Sequence, residues 1–269
     1  MKNQTVVLIG ASEGIGEALA VMLATQGANL VLAARNQAKL DVVLQRCEAQ
    51  GAQVLAVQTD VAKREDCEHL IQQAVARFGG LDVLINNAGI SMSVRFDEVR
   101  DLSIFERLMQ VNYLGVVRCT HHALPHLKAR RGLVVAISSW QGKTGFPLST
   151  GYAASKHALQ GFCDSLRIEL YENGVDVLVV SPGPVDTAIH ARKFGRTGKM
   201  EQNEEAPSQQ NLMSVEQCAR LIVQAIARRD REMVMTLRGQ LMPWLKPIAP
   251  KMLDQMVAKG VERFYTEPQ

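Results

Sequence analysis

The chain has 269 residues, of which 47% are hydrophobic and 21% are charged, and its formal net charge is +3 at pH 7. This composition is ordinary for a globular protein with a large core, and the small net charge without a long Lys or Arg run argues against a nucleic-acid partner. The first apolar run is too short for a signal peptide, and none reaches the ~18 residues that cross a bilayer, so we expect a cytoplasmic protein.

Seven short runs rich in β-branched residues alternate with segments of helical period. The predicted strands are residues 5–10, 29–35, 53–58, 81–87, 132–138, 175–181 and 232–236. Between them, apolar residues recur at spacings of three and four, and the first three helical segments end at glycine. Nearly continuous apolar strands separated by helices predict an α/β fold: a single-domain, Rossmann-type, doubly wound parallel sheet of about seven strands with helices on both faces.

We expect residues 1–236 to form a dinucleotide-binding and catalytic domain. Within it, residues 186–213 are polar, contain glycine and follow the sixth predicted strand. Loops at the carboxyl ends of parallel strands surround the ligand crevice, so this segment is either a lid over the substrate or a long solvated loop.

Residues 237–269 are predicted to form a C-terminal helical appendix rather than an independent domain. Its large apolar residues either pack over the substrate pocket or a subunit interface, or rest on a membrane. The first alternative is favoured because few cations flank them. They are Met242, Trp244, Leu245, Ile248, Met252, Leu253 and Met256.

The five cysteines and the histidines give no metal-binding pattern. The cysteines stand singly, without a CxxC spacing, which is typical of reduced core thiols. His122 and His126 are four residues apart, but Pro125 lies between them and no third ligand has suitable spacing. We therefore expect no metal.

A glycine-rich turn connects the first predicted strand to the first helix. Gly10 permits a tight turn at the strand exit, Gly14 lets a pyrophosphate approach the backbone, and Gly16 lets the helix pack closely on the sheet. The spacing differs from the usual GxGxxG fingerprint, so the turn alone is equally consistent with a tight connection. Its position between strand and helix favours a dinucleotide site.

The end of the second predicted strand bears on the choice of cofactor. Arg35 and Asn36 stand there with no carboxylate, and an arginine at this place can form a bidentate contact with a 2′-phosphate. This favours NADP(H) over NAD(H), although a solvated arginine is the alternative. Glu13 in the glycine turn points the other way, because an acid near that phosphate would repel it.

Tyr152 and Lys156 stand four residues apart on a predicted helix and therefore share one face, with Cβ atoms about 6 Å apart. A phenol with a pKa of ~10 is a poor acid–base catalyst at neutral pH, and we expect the neighbouring ammonium to lower that pKa. Ser139 follows the fifth predicted strand. A loop can bring its hydroxyl beside Tyr152, where it could hold a carbonyl oxygen that the tyrosine protonates.

Taken in order and spacing, these motifs resemble the classical short-chain dehydrogenases/reductases, over about residues 5–236. They are GASEGIG (residues 10–16), Asn86-Asn87-Ala88-Gly89, Asn112, Ser139, Tyr152-Ala153-Ala154-Ser155-Lys156 and Pro182-Gly183. Two positions depart from the family pattern, Ile9 where threonine is usual and Glu13 where NADP-preferring members often have Ser, Arg or Lys.

The resemblance implies a role for each matched position. Asn112, Ser139, Tyr152 and Lys156 correspond to the catalytic tetrad, in which Tyr152 exchanges the proton, Ser139 orients the carbonyl, Lys156 also holds the nicotinamide ribose, and Asn112 supports a proton relay. Cofactor contacts are implied for Gly10, Ser12, Glu13, Gly14, Ile15, Gly16, Arg35, Asn36, Asp60, Val61, Asn87, Ala88, Gly89, Tyr152, Lys156, Pro182, Gly183, Val185 and Thr187.

The function expected from this resemblance is NADP(H)-dependent interconversion of a ketone or aldehyde with an alcohol, in a homodimer or homotetramer. The alternative is a catalytically silent NADP(H)-binding sensor or scaffold of the same fold. Ser139, Trp140, Phe146, Leu148 and Tyr152 are expected to line a partly apolar substrate pocket. Cations of the lid segment could instead favour an acidic substrate; they are Arg192, Lys193, Arg196 and Lys199.

Overall fold

The computed structural model describes residues 1–202 and 212–266, so the predicted lid lies partly outside the described residues. Its strands in chain order are β1 (Thr5–Ile9), β2 (Asn29–Ala34), β3 (Val54–Gln58), β4 (Val83–Asn86), β5 (Ser91–Met92), β6 (Leu133–Ile137), β7 (Asp176–Ser181), β8 (Arg192–Phe194), β9 (Met200–Gln202) and β10 (Glu232–Val234). Seven of them form one parallel sheet in the order β10-β7-β6-β4-β1-β2-β3.

The helices in chain order are α1 (Gly14–Thr25), α2 (Gln37–Glu48), α3 (Arg64–Phe78), α4 (Ser103–Met109), α5 (Gly115–Arg130), α6 (Thr150–Glu169), α7 (Ala188–Ala191), α8 (Val215–Arg228), α9 (Leu237–Ile248) and α10 (Pro250–Thr266). A π-helical turn, Gln110–Leu114, joins α4 to α5, and a 3₁₀ turn, Trp140–Gly142, follows β6.

Both faces of the central sheet are buried under helices. On β1, Val6 and Leu8 pack into the cluster formed with α1, α2 and α8, whereas Val7 and Ile9 pack into the cluster formed with α3, α5 and α6. This alternation explains why the strand is apolar at every position. The predicted α/β doubly wound fold is therefore confirmed, and all seven predicted strands are present with ends shifted by one or two residues.

The first three helices are each followed by a glycine in the left-handed region, at Gly27, Gly51 and Gly79 with φ of 76°, 82° and 70°. These residues end the helices as the sequence predicts. The sequence does not predict the small second sheet, in which β8 pairs with β5 and with β9. Strands of two or three residues are too short to show an alternating pattern.

The apolar residues predicted on the C-terminal helices fall into a buried group and an exposed group, with Leu245 half-buried between these extremes. Met242 and Leu253 are buried with Val257 against Trp140 and Phe146. Four others remain exposed: Trp244 (73%), Ile248 (79%), Met252 (49%) and Met256 (50%). Across residues 1–202 and 212–266, the helices fall short of the length or apolar character that crossing a bilayer requires.

Candidate active site

The sheet order places a topological switch point between β1 and β4, because the chain proceeds from β1 toward β2 and later from β4 toward β6. A crevice at the carboxyl ends of the strands is expected at such a point. A cleft of about 720 Å³ lies here, between the turn after β1 and the loop after β4. Its volume lies within the range of small-molecule and cofactor sites.

The turn after β1 and the loop after β4 touch through backbone that only glycine allows. Gly10 has φ of 80°, and a Cβ there would lie 2.7 Å from the backbone nitrogen of Ala88. A Cβ on Gly16 would lie 1.9 Å from the Gly10 carbonyl oxygen. The Asn87 side chain donates to that same carbonyl at 2.9 Å. These contacts leave the start of α1 open to the cleft, as a pyrophosphate site requires.

Most of the residues predicted to bind a cofactor line this cleft: Gly10, Ser12, Glu13, Gly14, Ile15, Arg35, Asn36, Asp60, Val61, Asn87, Ala88, Gly89 and Thr187. Others lie beside it. Gly16 packs behind the turn, Gly183 lies against Thr236, and the Val185 side chain is buried in the core. The predicted contacts of all these residues with a cofactor, those of Pro182, Gly183 and Val185 included, stay predictions.

Glu13, the residue that argues against a phosphate, is paired with two cations. Its Oε2 accepts from Lys39 Nζ at 2.7 Å, and its Oε1 accepts from the Arg192 guanidinium. Burial by itself raises the pKa of Glu13, but the two ion-paired hydrogen bonds outweigh it and lower the pKa. Both cations also line the cleft, so the negative charge of Glu13 is compensated where it stands.

The sequence motifs do not indicate Lys39 as part of the cleft, and they indicate Arg192 only as a cation of the predicted lid. Lys39 lies four residues after Arg35, in the first turn of α2, and that local spacing could have revealed it. Arg192 is 179 positions from Glu13, so no local pattern predicts their contact. Since Arg192 pairs with Glu13 and Arg196 pairs with Glu98, two of the four lid cations proposed for an acidic substrate already have partners.

Helix α6 holds Lys156 inside the protein, only 4% exposed, with Nζ donating to the Ile137 carbonyl at 2.8 Å. The same nitrogen lies 5.7 Å from the centre of the Tyr152 ring. A Cβ placed on Gly89 would be 3.9 Å from it, so the ammonium adjoins the wall of the cleft. Burial lowers the pKa of Lys156 to about 8, because an apolar environment disfavours the charged form.

Asn112, in the π-helical turn, joins the cleft to helix α6. It is 0% exposed. Its Oδ1 accepts from the Ile90 backbone nitrogen at 2.9 Å, and its Nδ2 donates to the Ile90 carbonyl at 2.9 Å and to Ser155 Oγ at 3.0 Å. Ser155 in turn donates to the Tyr152 carbonyl at 2.7 Å. The π-helical turn therefore anchors the part of α6 that carries Tyr152.

Ser139 reaches Tyr152 because the turn that follows it packs tightly on α6. A Cβ on Gly142 would lie 3.0 Å from the Lys156 carbonyl oxygen, so only glycine lets this turn approach so closely. Gly142 thus helps to place Ser139 next to α6, and the sequence motifs do not indicate this position. The backbone nitrogen of Trp140, the residue after Ser139, donates to the Pro182 carbonyl at 3.1 Å and fixes the other side of the turn.

The pKa of Tyr152 corrects one expectation. Burial raises it to about 12, and a hydrogen bond with Ser139 lowers it by less than burial raises it. The prediction that Lys156 lowers the pKa of Tyr152 is therefore wrong. The Lys156 nitrogen engages the Ile137 carbonyl and lies beside the tyrosine ring. Tyr152 is held in its protonated form at neutral pH.

Apolar clusters lie on two sides of these residues. Trp140 and Phe146, with ring centroids 5.1 Å apart, pack under the C-terminal helices. On the other side, Tyr152 packs against the cluster that contains Phe194 of β8. Leu148, between Phe146 and Tyr152 in the sequence, has a φ of 64°, which is unusual for a bulky residue. Its carbonyl accepts a hydrogen bond from the Val94 backbone nitrogen at 2.9 Å. The predicted lining of a substrate pocket stays a prediction.

The fold and this cleft define a doubly wound α/β protein with a dinucleotide-type crevice at its switch point. A family model described as short chain dehydrogenase matches residues 4–197, and the chain belongs to this family of oxidoreductases. The predicted resemblance is thereby confirmed.

Named relatives and solved structures agree with this family. An "11-beta-hydroxysteroid dehydrogenase-like 4A" of Arabidopsis thaliana is 34% identical over 256 residues, covering 94% of this chain and 83% of the relative. A Thermococcus sibiricus alcohol dehydrogenase complexed with 5-hydroxy-NADP superposes with a TM-score of 0.75 at 28% identity, covering 86% of this chain and 95% of that one. A Burkholderia phymatum short chain dehydrogenase/reductase in complex with NAD has a TM-score of 0.82 at 25% identity, covering 93% and 95%.

Burial of Lys156 predicts that stability rises with pH. Its pKa is about 8 in the folded protein against 10.5 for an ordinary lysine. Between these values the unfolded chain binds a proton that the folded protein does not, so the free energy of unfolding increases with pH. We expect a gain of about 1.6 kcal/mol between pH 8 and pH 9.5 from this residue.

Urea unfolding of the wild type and of Lys156→Met over this pH range isolates the contribution, because the variant lacks the titrating group. The stability difference between the two proteins should move in favour of the wild type as pH rises. A difference that stays constant with pH would contradict the buried, proton-releasing lysine.

Proposed function

We propose that this protein is an NADP(H)-dependent oxidoreductase that interconverts a ketone or aldehyde with an alcohol by hydride transfer, with Tyr152 as the general acid and base. The observation that carries the proposal is the grouping of buried Ser139, Lys156 and Asn112 with the partly buried Tyr152, which adjoins the cleft through Gly89. Membership of the short chain dehydrogenase family supports oxidoreductase chemistry for that set.

The residues present fit a nicotinamide dinucleotide. The cleft has a suitable volume, its glycine turn presents backbone without side chains, and cations stand at the end of β2. A bound nicotinamide would supply the hydride, which is the difficult part of the chemistry, while the protein supplies placement. Lys156 adjoins the cleft wall at Gly89, in a position suited to a hydroxyl of the nicotinamide ribose.

Tyr152 is suited to the proton transfer in the direction of carbonyl reduction. Its raised pKa of about 12 keeps the phenol protonated at neutral pH, so it can donate to the oxygen of a bound carbonyl. The Ser139 hydroxyl, which interacts with Tyr152, can donate to the same oxygen and orient it. Asn112 holds the part of α6 that carries Tyr152 through its hydrogen bond with Ser155, and the Tyr152 hydroxyl is hydrogen-bonded with Ser139.

The preference for NADP(H) rests on charge at the end of β2. Arg35 lines the cleft, and within the described part of the chain its side chain has no ion-pair partner. Glu13, the acid that could repel a phosphate, is compensated by Lys39 and Arg192. Related structures contain an NADP derivative in one case and NAD in the other, so they support either cofactor.

We further propose that residues 1–236 act as the catalytic domain, that the substrate is a small molecule, and that the protein is a cytoplasmic homodimer or homotetramer. Gel filtration of the purified chain tests the assembly. A screen of carbonyls and alcohols with both cofactors, followed by the absorbance of the reduced nicotinamide, tests the activity. Binding of NADPH without turnover across the whole screen would instead favour a silent sensor or scaffold.

Replacing Tyr152 with phenylalanine removes the proposed proton donor and leaves the ring in place. We expect Tyr152→Phe to lower kcat for carbonyl reduction by roughly 10²-fold or more, while NADPH affinity changes little. Steady-state kinetics and fluorescence titration of NADPH measure the two quantities.

Tyr113→Phe is the matched control for this change, because the Tyr113 ring packs on Phe162 away from the cleft. It should keep the wild-type rate. Retention of the rate in Tyr152→Phe would show that another group supplies the proton.

Replacing Arg35 with alanine tests how the cofactor is chosen. A charge-assisted contact with a phosphate is strong, so Arg35→Ala should weaken NADPH binding by about tenfold or more and NADH binding far less. Arg46→Ala is the control, since Arg46 lies on α2 and pairs with Glu17 outside the cleft lining. Equal weakening of both dinucleotides by Arg35→Ala would show that Arg35 does not contact the 2′-phosphate.

A further inference from the structure

Three charged side chains form a bridge across the mouth of the cleft. Glu13 lies in the glycine turn, Lys39 on α2, and Arg192 at the start of β8, and the carboxylate of Glu13 pairs with both cations. We call this arrangement the Glu13 bridge. It connects the nucleotide side of the cleft with the segment that follows β7.

Lys39 occupies the place where a ribose 2′ substituent is expected. The cleft lining at the end of β2 consists of Arg35, Asn36, Gln37 and Lys39. The Asn36 side chain accepts from the Lys39 backbone nitrogen at 3.0 Å and so fixes the first turn of α2. In a doubly wound sheet, this strand end is where a dinucleotide presents its ribose 2′ position. Lys39 therefore stands beside Arg35 as a second cation of this corner.

The Glu13 carboxylate is free to form the bridge because it does not cap its own helix. Glu13 is the N-cap residue of α1, yet its side chain makes no capping hydrogen bond. The Lys39 and Glu13 side chains are 50% and 39% exposed. An ion pair with this exposure contributes little net stability, so an incoming dianionic phosphate can displace the carboxylate from Lys39.

We propose that Lys39 is a second residue that contacts the 2′-phosphate. We further propose that Glu13 limits the preference for NADP(H) over NAD(H), because its carboxylate competes with this phosphate for Lys39. Arg192 is the remaining partner of Glu13 after the exchange, which keeps the carboxylate compensated at the edge of the cleft. This inference rests on the proposed NADP(H)-dependent function. It adds a competition between the Glu13 carboxylate and the 2′-phosphate for one cation, which a contact of the phosphate with Arg35 alone does not include.

The test is a double-mutant cycle read by equilibrium binding of NADPH and NADH to the wild type, Glu13→Gln, Lys39→Met and the double variant. Glu13→Gln releases Lys39 and should strengthen NADPH binding by about fivefold, with NADH changing less than about twofold. Lys39→Met should weaken NADPH binding by about the same factor. In the double variant, the gain from Glu13→Gln should disappear, because no lysine remains to be released.

A simple repulsive role of Glu13 predicts a different result. If Glu13 only repelled the phosphate, Glu13→Gln would strengthen NADPH binding equally with and without Lys39, and that outcome would overturn the proposal. An unchanged or weakened NADPH affinity in Glu13→Gln would overturn it as well.

Glu17→Gln is the matched control, because Glu17 joins the same two helices through Arg46 but does not line the cleft. It removes the same charge and should leave both affinities within about twofold of the wild type. A wild-type protein that binds neither dinucleotide would overturn the proposed function and this inference together. Binding of both dinucleotides without coupling between Glu13 and Lys39 would overturn this inference alone.

Discussion

The buried amide of Asn112 is the contact on which the site depends. It connects the loop after β4, the π-helical turn and helix α6 through hydrogen bonds with Ile90 and Ser155. An amide removed from water is costly unless it is hydrogen-bonded, so these bonds hold the three segments in one arrangement. Lys156 consequently stands beside Gly89, where the proposed catalytic residues meet the dinucleotide-type cleft.

Burial then shifts the pKa values of Tyr152 and Lys156, which stand on the same face of α6. It lowers the pKa of Lys156 to about 8 and raises the pKa of Tyr152 to about 12, so each group moves toward its neutral form. At neutral pH the tyrosine still holds its proton, and the lysine is still largely charged. A protonated phenol next to a serine hydroxyl is arranged to give a proton to an oxygen, which suits reduction of a carbonyl more directly than oxidation of an alcohol.

The sequence predicts those parts of the structure that depend on local pattern. Strands buried on both faces read as continuous apolar runs, and Tyr152 and Lys156 share a helix face by their spacing alone. The pairing of Glu13 with Arg192 joins residues 179 positions apart, so it depends on the folded chain. The pKa of Tyr152 was predicted in the wrong direction, because spacing reveals a neighbouring charge but not the depth of burial.

Hydride transfer at this site is tested most directly by following the transferred atom. A carbonyl substrate found in the screen is reduced with NADPH that carries deuterium at both C4 positions of the nicotinamide, and the alcohol is analysed by mass spectrometry. The account predicts one deuterium on the former carbonyl carbon of the alcohol formed by the wild-type protein. An alcohol without deuterium at that carbon, formed while labelled NADPH is consumed, would contradict it.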